Sequence, residues 1–213
     1  MVAYADSLNL AAGTIQIEGR MSEAAANSYY ARRQLDQQAL LKVRQALILQ
    51  SQGDIQLNAT QLSAGSALLQ ANGTLDIGTV TESERSHYVA NAENYWKLDQ
   101  QREIGSTFDI KENAILSGKN GVTLRATQVN SDGDILVNSE QGNIQIQSGR
   151  DKENLFATKY KDKSLLSSSI TTIKHDHQYD LTEGSQLAGN NVHLLANQGK
   201  VAVEGSTIVA DKM

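Results

Sequence analysis

Gly53-Asp54-Ile55-Gln56-Leu57 and Gly73-Thr74-Leu75-Asp76-Ile77 decide how this chain is read. Each is a glycine turn followed by apolar–polar–apolar, the period of two expected of a short strand with one buried face. The phrase returns as Gly13-Thr14-Ile15-Gln16-Ile17, Gly133-Asp134-Ile135-Leu136-Val137, Gly142-Asn143-Ile144-Gln145-Ile146 and Gly199-Lys200-Val201-Ala202-Val203. Gly53, Gly65 and Gly73 are separated by a longer and then a shorter step, and Gly121, Gly133 and Gly142 repeat that order. Two steps make about 20 residues, the length of one coil of a stacked β-solenoid. The expected fold is therefore all-β: a right-handed parallel β-helix, its hand following from the crossover rule for parallel strands. Ile55, Leu57, Leu75, Ile77, Ile135, Val137, Ile144, Ile146, Val201 and Val203 share the register of the phrase and should point into one core.

Composition agrees. The 213 residues are 39% apolar but only 5% aromatic, which suits a slim core of Val, Ile, Leu and Ala. There is no Pro, which would remove ladder donors from interior strands, and 16 Gly serve the turns. With no Cys, disulfides, thiol catalysis and Cys-ligated zinc are excluded. A net charge of −5 argues against nucleic acid or an anionic membrane as the main partner. No apolar run long enough to span a bilayer as a helix and no signal peptide is visible, and the repeat pattern already runs at both ends. The expectation is a single solenoid segment over residues 1–213, cut from a longer parent chain that carries the export signal.

A longer period overlies the coils. Asn58-Ala59-Thr60-Gln61-Leu62 returns as Arg125-Ala126-Thr127-Gln128-Val129, and Leu35-Asp36-Gln37-Gln38 returns at a similar distance as Leu98-Asp99-Gln100-Gln101. Gly184-Ser185-Gln186-Leu187-Ala188-Gly189 has relatives at Leu62-Ser63-Ala64-Gly65 and Ile115-Leu116-Ser117-Gly118. Each unit thus holds two coils and one insertion, at about 20–47, 79–104 and 150–183. The insertions contain eight of the ten aromatics, leaving only Tyr4 and Phe108 outside. They read as extrahelical β-hairpins with aromatic cross-strand pairs. Residues 24–48 differ: Ala-rich and Leu/Gln/Arg-rich stretches, with Leu35, Ala39 and Val43 at helical spacing, favour one helix there.

The phrases Gly184-Ser185-Gln186-Leu187-Ala188-Gly189-Asn190-Asn191-Val192-His193-Leu194 and Asp132-Gly133-Asp134-Ile135 resemble the haemagglutinin repeat of filamentous-haemagglutinin-type exoproteins. The resemblance is strongest to the repeat region of contact-dependent growth-inhibition effectors, and it runs best from Gly53 to Lys212. It implies secretion by the two-partner route through an outer-membrane transporter, and a place at the cell surface of a Gram-negative bacterium. It also implies a non-catalytic role in delivering a toxin, or alternatively a role in host-cell adhesion. The partner implied is a target-cell surface or an outer-membrane component, with no nucleic acid.

Candidate sites are few. No Gly-x-Ser-x-Gly elbow, phosphate loop or His-Glu-x-x-His is present, so no enzyme, catalytic residue or cofactor is expected. His175-Asp176-His177 puts two imidazoles on one face of a strand, but no third metal ligand is identifiable, and a solvated pair is expected. Asn130-Ser131-Asp132-Gly133-Asp134 lacks the distal Glu of a calcium loop and reads as a turn. Asn120, Asn190 and Asn191 are expected at turns with φ > 0, stacked between coils. Lys159, Lys161 and Lys163 form a basic stripe beside Tyr160, but the insertion from Arg150 to Glu183 balances six basic against six acidic residues. Tyr88, Tyr95 and Trp96 are the candidate partner-binding residues, because exposed Trp and Tyr on a projecting hairpin are the usual anchors of an interface. The competing reading is that they only staple the hairpin.

Overall fold

A computed structural model describes residues 1–24, 26–91, 94–161 and 171–210, with side chains except at 158–161 and 171–172. The described residues contain no helix. The chain runs through three short strands per coil. The first coil is β1 (Val2–Ala5), β2 (Leu8–Ala12) and β3 (Ile15–Glu18), and a hairpin of β4 (Arg20–Glu23) and β5 (Tyr30–Gln37) follows. The second and third coils are β6 (Ala39–Val43), β7 (Ala46–Ser51), β8 (Ile55–Asn58), then β9 (Thr60–Ala64), β10 (Ser66–Ala71), β11 (Thr74–Gly78). The second hairpin is β12 (Val80–Asn91) and β13 (Asn94–Ile104). The next two coils are β14 (Thr107–Ile110), β15 (Ala114–Gly118), β16 (Gly121–Arg125), then β17 (Gln128–Ser131), β18 (Ile135–Ser139), β19 (Ile144–Gln147). The third hairpin is β20 (Gly149–Lys161) and β21 (Thr171–Glu183). A sixth coil follows as β22 (Gln186–Gly189), β23 (Val192–Ala196) and β24 (Val201–Val203), and β25 (Thr207–Ala210) comes last.

First, second and third strands of the coils stack separately into three parallel sheets. Sheet A is β1-β6-β9-β14-β17-β22-β25, sheet B is β2-β7-β10-β15-β18-β23, and sheet C is β3-β8-β11-β16-β19-β24. This is the arrangement of a β-solenoid. Five of the six glycine phrases supply five of the six strands of sheet C, where Ile15, Ile55, Leu75, Val122, Ile144 and Val201 form one column in register. The Gly133 phrase instead enters sheet B, where Leu10, Leu49, Leu69, Leu116, Val137 and Leu194 form another column. The inward residues named from the sequence divide into two groups. Eight, from Ile55 to Ile146, are buried in a single cluster. Val201 and Val203 keep the register but are exposed, on β24, which borders sheet C among the described residues. Phe108 is an exception to the aliphatic core, fully buried between Leu62 and Val129 in sheet A.

The helix expected over 24–48 is absent. Ala39, Leu41 and Val43 alternate inward along β6, and Leu47 and Leu49 along β7. Burial at a period of two overrides helix propensity, which is worth only tenths of a kcal/mol per residue. The first hairpin's strands therefore end at Gln37, well short of the insertion boundary read from the sequence. The Leu35/Leu98 recurrence is likewise not structural: Leu35 lies near the end of β5, whereas Leu98 sits in the middle of β13. Of the relatives of Gly184–Gly189, Leu62 shares the sheet A column of Leu187, whereas Ile115–Gly118 lies in sheet B.

The recurrence of Asn58–Leu62 at Arg125–Val129 does have a structural meaning. Between sheet C and sheet A the chain turns in two alternating ways. Coils one, three and five leave through a hairpin. Coils two and four turn on a single left-handed residue, Ala59 (φ 47°) or Ala126 (φ 45°), and Gly205 (φ 55°) repeats this after coil six. Positive φ thus falls on alanine and not on the expected Asn120, Asn190 or Asn191. The methyl is accepted because it is small and buried against the bases of the hairpins. Thr60 and Thr127, next in sequence, donate their backbone N–H to the hydroxyls of Ser106 and Ser185, the residues at which hairpins two and three return. Asn191 does bridge coils, donating to Asp134, whose own N–H donates to Asn113.

Candidate interaction surface

The three hairpins pair with one another as a fourth sheet, six-stranded and antiparallel, in the order β21-β20-β13-β12-β5-β4. The geometry that allows this is simple. Neighbouring strands of any sheet lie about 4.8 Å apart, so each coil advances the solenoid by one strand spacing. β4 leaves coil one and β5 enters coil two; β12 leaves coil three and β13 enters coil four; β20 and β21 do the same at coils five and six. Every coil therefore contributes one strand to the fourth sheet at its own level, and the hairpins meet without a gap. The tight corners at Ala59 and Ala126 keep the intervening turns out of the way. The result is a fin along one corner of the solenoid, tied to the body where Glu103 of β13 accepts both Arg125 of β16 (2.8 Å) and the Arg150 N–H (2.8 Å).

Both faces of the fin are polar near its base. One face carries Arg32 beside Glu84 and, across β13, a cluster of Gln100, Glu153, His177 and Tyr179. Gln100 donates to Glu153, and His177 Nδ1 lies 3.2 Å from the same carboxyl. Gln100 first, then His177, hold the Glu153 carboxyl below the usual carboxylate range. Burial, and then the carboxylates of Asp151 and Glu153, push the Tyr179 phenol up. A carboxyl depressed by folding contributes stability at neutral pH that is lost as pH falls through the carboxylate range. The cluster thus helps lock β13, β20 and β21 together.

Towards the tip the fin becomes apolar. Tyr88 lies directly across from Trp96, on one face, and Trp96 is in turn opposite Ala157. With Leu155, Ile173 and His175 they line an open cleft of about 800 Å³. Tyr88 is 57% and Trp96 37% exposed, so the pair is a reachable surface as well as a cross-strand staple. Tyr95 pairs with Val89 and not with Tyr88, so its side chain rises on the opposite face, with the Lys97 ammonium 5.7 Å from its ring centre. The three aromatics named from the sequence therefore border one cleft but do not share a face: Tyr88 and Trp96 stand together on one, and Tyr95 alternates to the other. Leu155 and Ile173 were missed, and His175 was named only as a possible metal ligand, because it takes the pairing of β13 with β20 and of β20 with β21 to bring them to Trp96.

The remaining candidates have plain positions. His175 and His177 share a face, with His177 turned to Glu153. Among the described residues no three or more of His, Cys, Asp and Glu are grouped to hold a metal ion. Asp132-Gly133-Asp134 is the turn between β17 and β18, where Ser131 accepts the Gly133 N–H. The stripe of Lys159, Lys161 and Lys163 beside Tyr160 lies outside the described side chains. No family model, curated protein or solved structure matches the chain.

One carboxyl on the body, that of Asp76, is held above the ordinary Asp range. Asp76 stands on the outer face of sheet C between Gln56 and Thr123, half-buried, and burial raises its affinity for a proton. The folded protein then binds more protons than the unfolded chain just above the ordinary Asp range, so this group's contribution falls as pH rises through that window. Asp76→Asn should therefore stabilise the protein at pH 7, with the advantage vanishing once Asp76 is protonated in both states. Chemical denaturation at pH 7 and pH 3.5 checks this; an equal gain at both would refute it.

Proposed function

We propose that the chain is a non-catalytic segment of a large secreted exoprotein of the contact-dependent growth-inhibition type, a right-handed solenoid that holds and presents a delivered toxin. The observation that carries this reading is the match of one fin strand to each coil. A unit of two coils and one hairpin can be repeated indefinitely without a mismatch, as a long rod requires. The glycine phrases that resemble the haemagglutinin repeat support the same assignment, and the rule for parallel crossovers supplies the hand. On this reading the parent chain crosses the outer membrane through a two-partner transporter and works at the surface of a Gram-negative cell. The Tyr88–Trp96 cleft on the fin favours a second reading, a segment of a host-cell adhesin, since adhesion needs an exposed recognition surface.

The test is replacement of Val80–Ile104 by a tight turn in the parent protein. Removing β12 and β13 takes two strands from the middle of the fin but none from sheets A, B or C. Solenoid coils lean mainly on their neighbours, so secretion and circular dichroism should persist. A drop in killing of susceptible neighbours in co-culture supports the delivery reading. Retained killing with lost attachment to host cells supports the adhesin, and loss of secretion removes the fin from any recognition role.

A further inference from the structure

Sheet B is the one wall of the solenoid without charge among the described residues. None of its six strands contains Asp, Glu, Lys or Arg, in a chain that is 20% charged. The strands of sheet A carry Lys42 and Asp109, and those of sheet C carry Glu18, Asp76 and Arg125. On the outer face of sheet B, Ile48, Leu68, Ile115 and Leu136 stand in register as an aliphatic ridge. Ile115 is exposed and the other three are half-buried. Asn9 and His193 stop the ridge in the first and sixth coils, so its length is set within the chain. A free protein surface normally intersperses charge through such a patch. The fin leaves and rejoins the body at the corner between sheets C and A, and so leaves sheet B uncovered among the described residues.

The ridge advances once per strand spacing, about 4.8 Å, and facing sheets pack about 10 Å apart. A second solenoid presents side chains at the same interval and meets the ridge at every coil, which a globular partner does not. The columns beside the ridge decide the direction. On one side stand the long Gln50 and Gln70, joined by a hydrogen bond (3.2 Å), and on the other the short Ala46 and Ser66. We propose that sheet B packs on sheet B of a second copy of this chain, with the two solenoids parallel and related by a two-fold axis running along the ridge. Such an axis reverses the strands but keeps the coils level. Ile48 then faces Ile48, and Gln50 and Gln70 lie over Ala46 and Ser66, long side chains over short ones. With the solenoids antiparallel the glutamine column would face its own side, Gln50 against Asn138, and the walls would pack unevenly. A wall of six coils, each about five residues wide, covers about 500 Å² per copy and about 1,000 Å² in all. That is the lower bound of a specific interface, so association in the micromolar range is expected. Both fins point away from the joint, and the pair presents two Tyr88–Trp96 clefts.

The full 213-residue chain is tested by light scattering after size exclusion over a range of concentrations, and a dimer is expected. Ile48 lies at one end of the ridge, so its facing residue reports the direction: Ile48 itself in parallel solenoids, Leu136 in antiparallel ones. Ile48→Lys and Ile48→Glu should each weaken the dimer by about tenfold or more, because each sets like charges face to face. An equimolar mixture of the two variants should associate again, with the circular dichroism of each unchanged. The chain has no native cysteine, so single-cysteine variants are clean. A bismaleimide of about 10 Å reach should join Ile48→Cys to a second copy far faster than Gln56→Cys, which lies on the outer face of sheet C. A chain that stays monomeric at millimolar concentration, including one that binds phosphatidylcholine vesicles instead, would overturn the proposal. So would a dimer indifferent to Ile48→Lys, or one in which Ile48→Cys cross-links no faster than Gln56→Cys.

Discussion

Ile144→Asp should abolish the cooperative folding transition of the middle coils. Ile144 is fully buried in the sheet C column, between Val122 and Val201 in register. The substitution removes about 2–3 kcal/mol of apolar burial. It also places a carboxyl where nothing donates to it, a cost of several kcal/mol even if the group takes up a proton. The sum approaches the whole stability of an ordinary domain. Melting followed by circular dichroism should fall by about 10 °C or more, or lose its single transition. Gln145→Asp, one residue along on the outer face, should change stability by less than about 0.5 kcal/mol. Equal effects at 144 and 145 would mean that sheet C does not bury one face, and the solenoid would be wrong.

The columns of that core were readable because a period of two, restarted by a glycine turn about every coil, leaves no other structure consistent with all copies. Two things were not readable, for different physical reasons. Residues 24–48 satisfy a helical spacing and a strand spacing at once: Leu35, Ala39 and Val43 mark the first, while Ala39, Leu41 and Val43 mark the second. The choice was made by the neighbours, since β6 must fill the place between β1 and β9 in sheet A. The fin was legible as three separate hairpins but not as one sheet. Both of its faces are polar and mostly half-buried near the base, so Thr81 to Arg85 carry no alternation that would announce a partner. What pairs β5 with β12 is the level at which each hairpin leaves the solenoid, a property of coil counting rather than of any residue. The cleft at Tyr88 and Trp96 inherits that blindness, because Leu155 and Ile173 reach it only through the stacking of hairpins. Left-handed alanine was hidden too: Ala59 and Ala126 hold conformations in which glycine or asparagine is the usual expectation.

Gly105→Ala is the second substitution with a large expected effect, and it tests the corner where fin and solenoid interlock. Gly105 sits between the end of β13 and the start of β14, directly beside the left-handed Ala126 of the next corner. A methyl added there would overlap the Ala126 carbonyl oxygen and come within 2.9 Å of the Ala126 Cβ. The obstacle is backbone, which cannot rotate aside as a side-chain end can. Relief requires moving either the Ala126 corner, fixed by the Thr127 N–H to Ser185, or the base of β13, fixed by Glu103 and Arg125. Overpacking of this kind costs about 3 kcal/mol. For a chain of this length that lowers the thermal midpoint by about 6–12 °C. Gly13→Ala, where an added methyl meets nothing within 4 Å, is the control and should be near neutral. The contact also dictates how the loss combines with a second change. Ala126→Gly removes the facing methyl and the left-handed strain but leaves the carbonyl oxygen in place, so the double variant should recover only a minor part of the stability. Full recovery would show that the two side chains alone were in conflict. The alternation of hairpin and tight turn would then be a looser arrangement than a backbone-to-backbone fit.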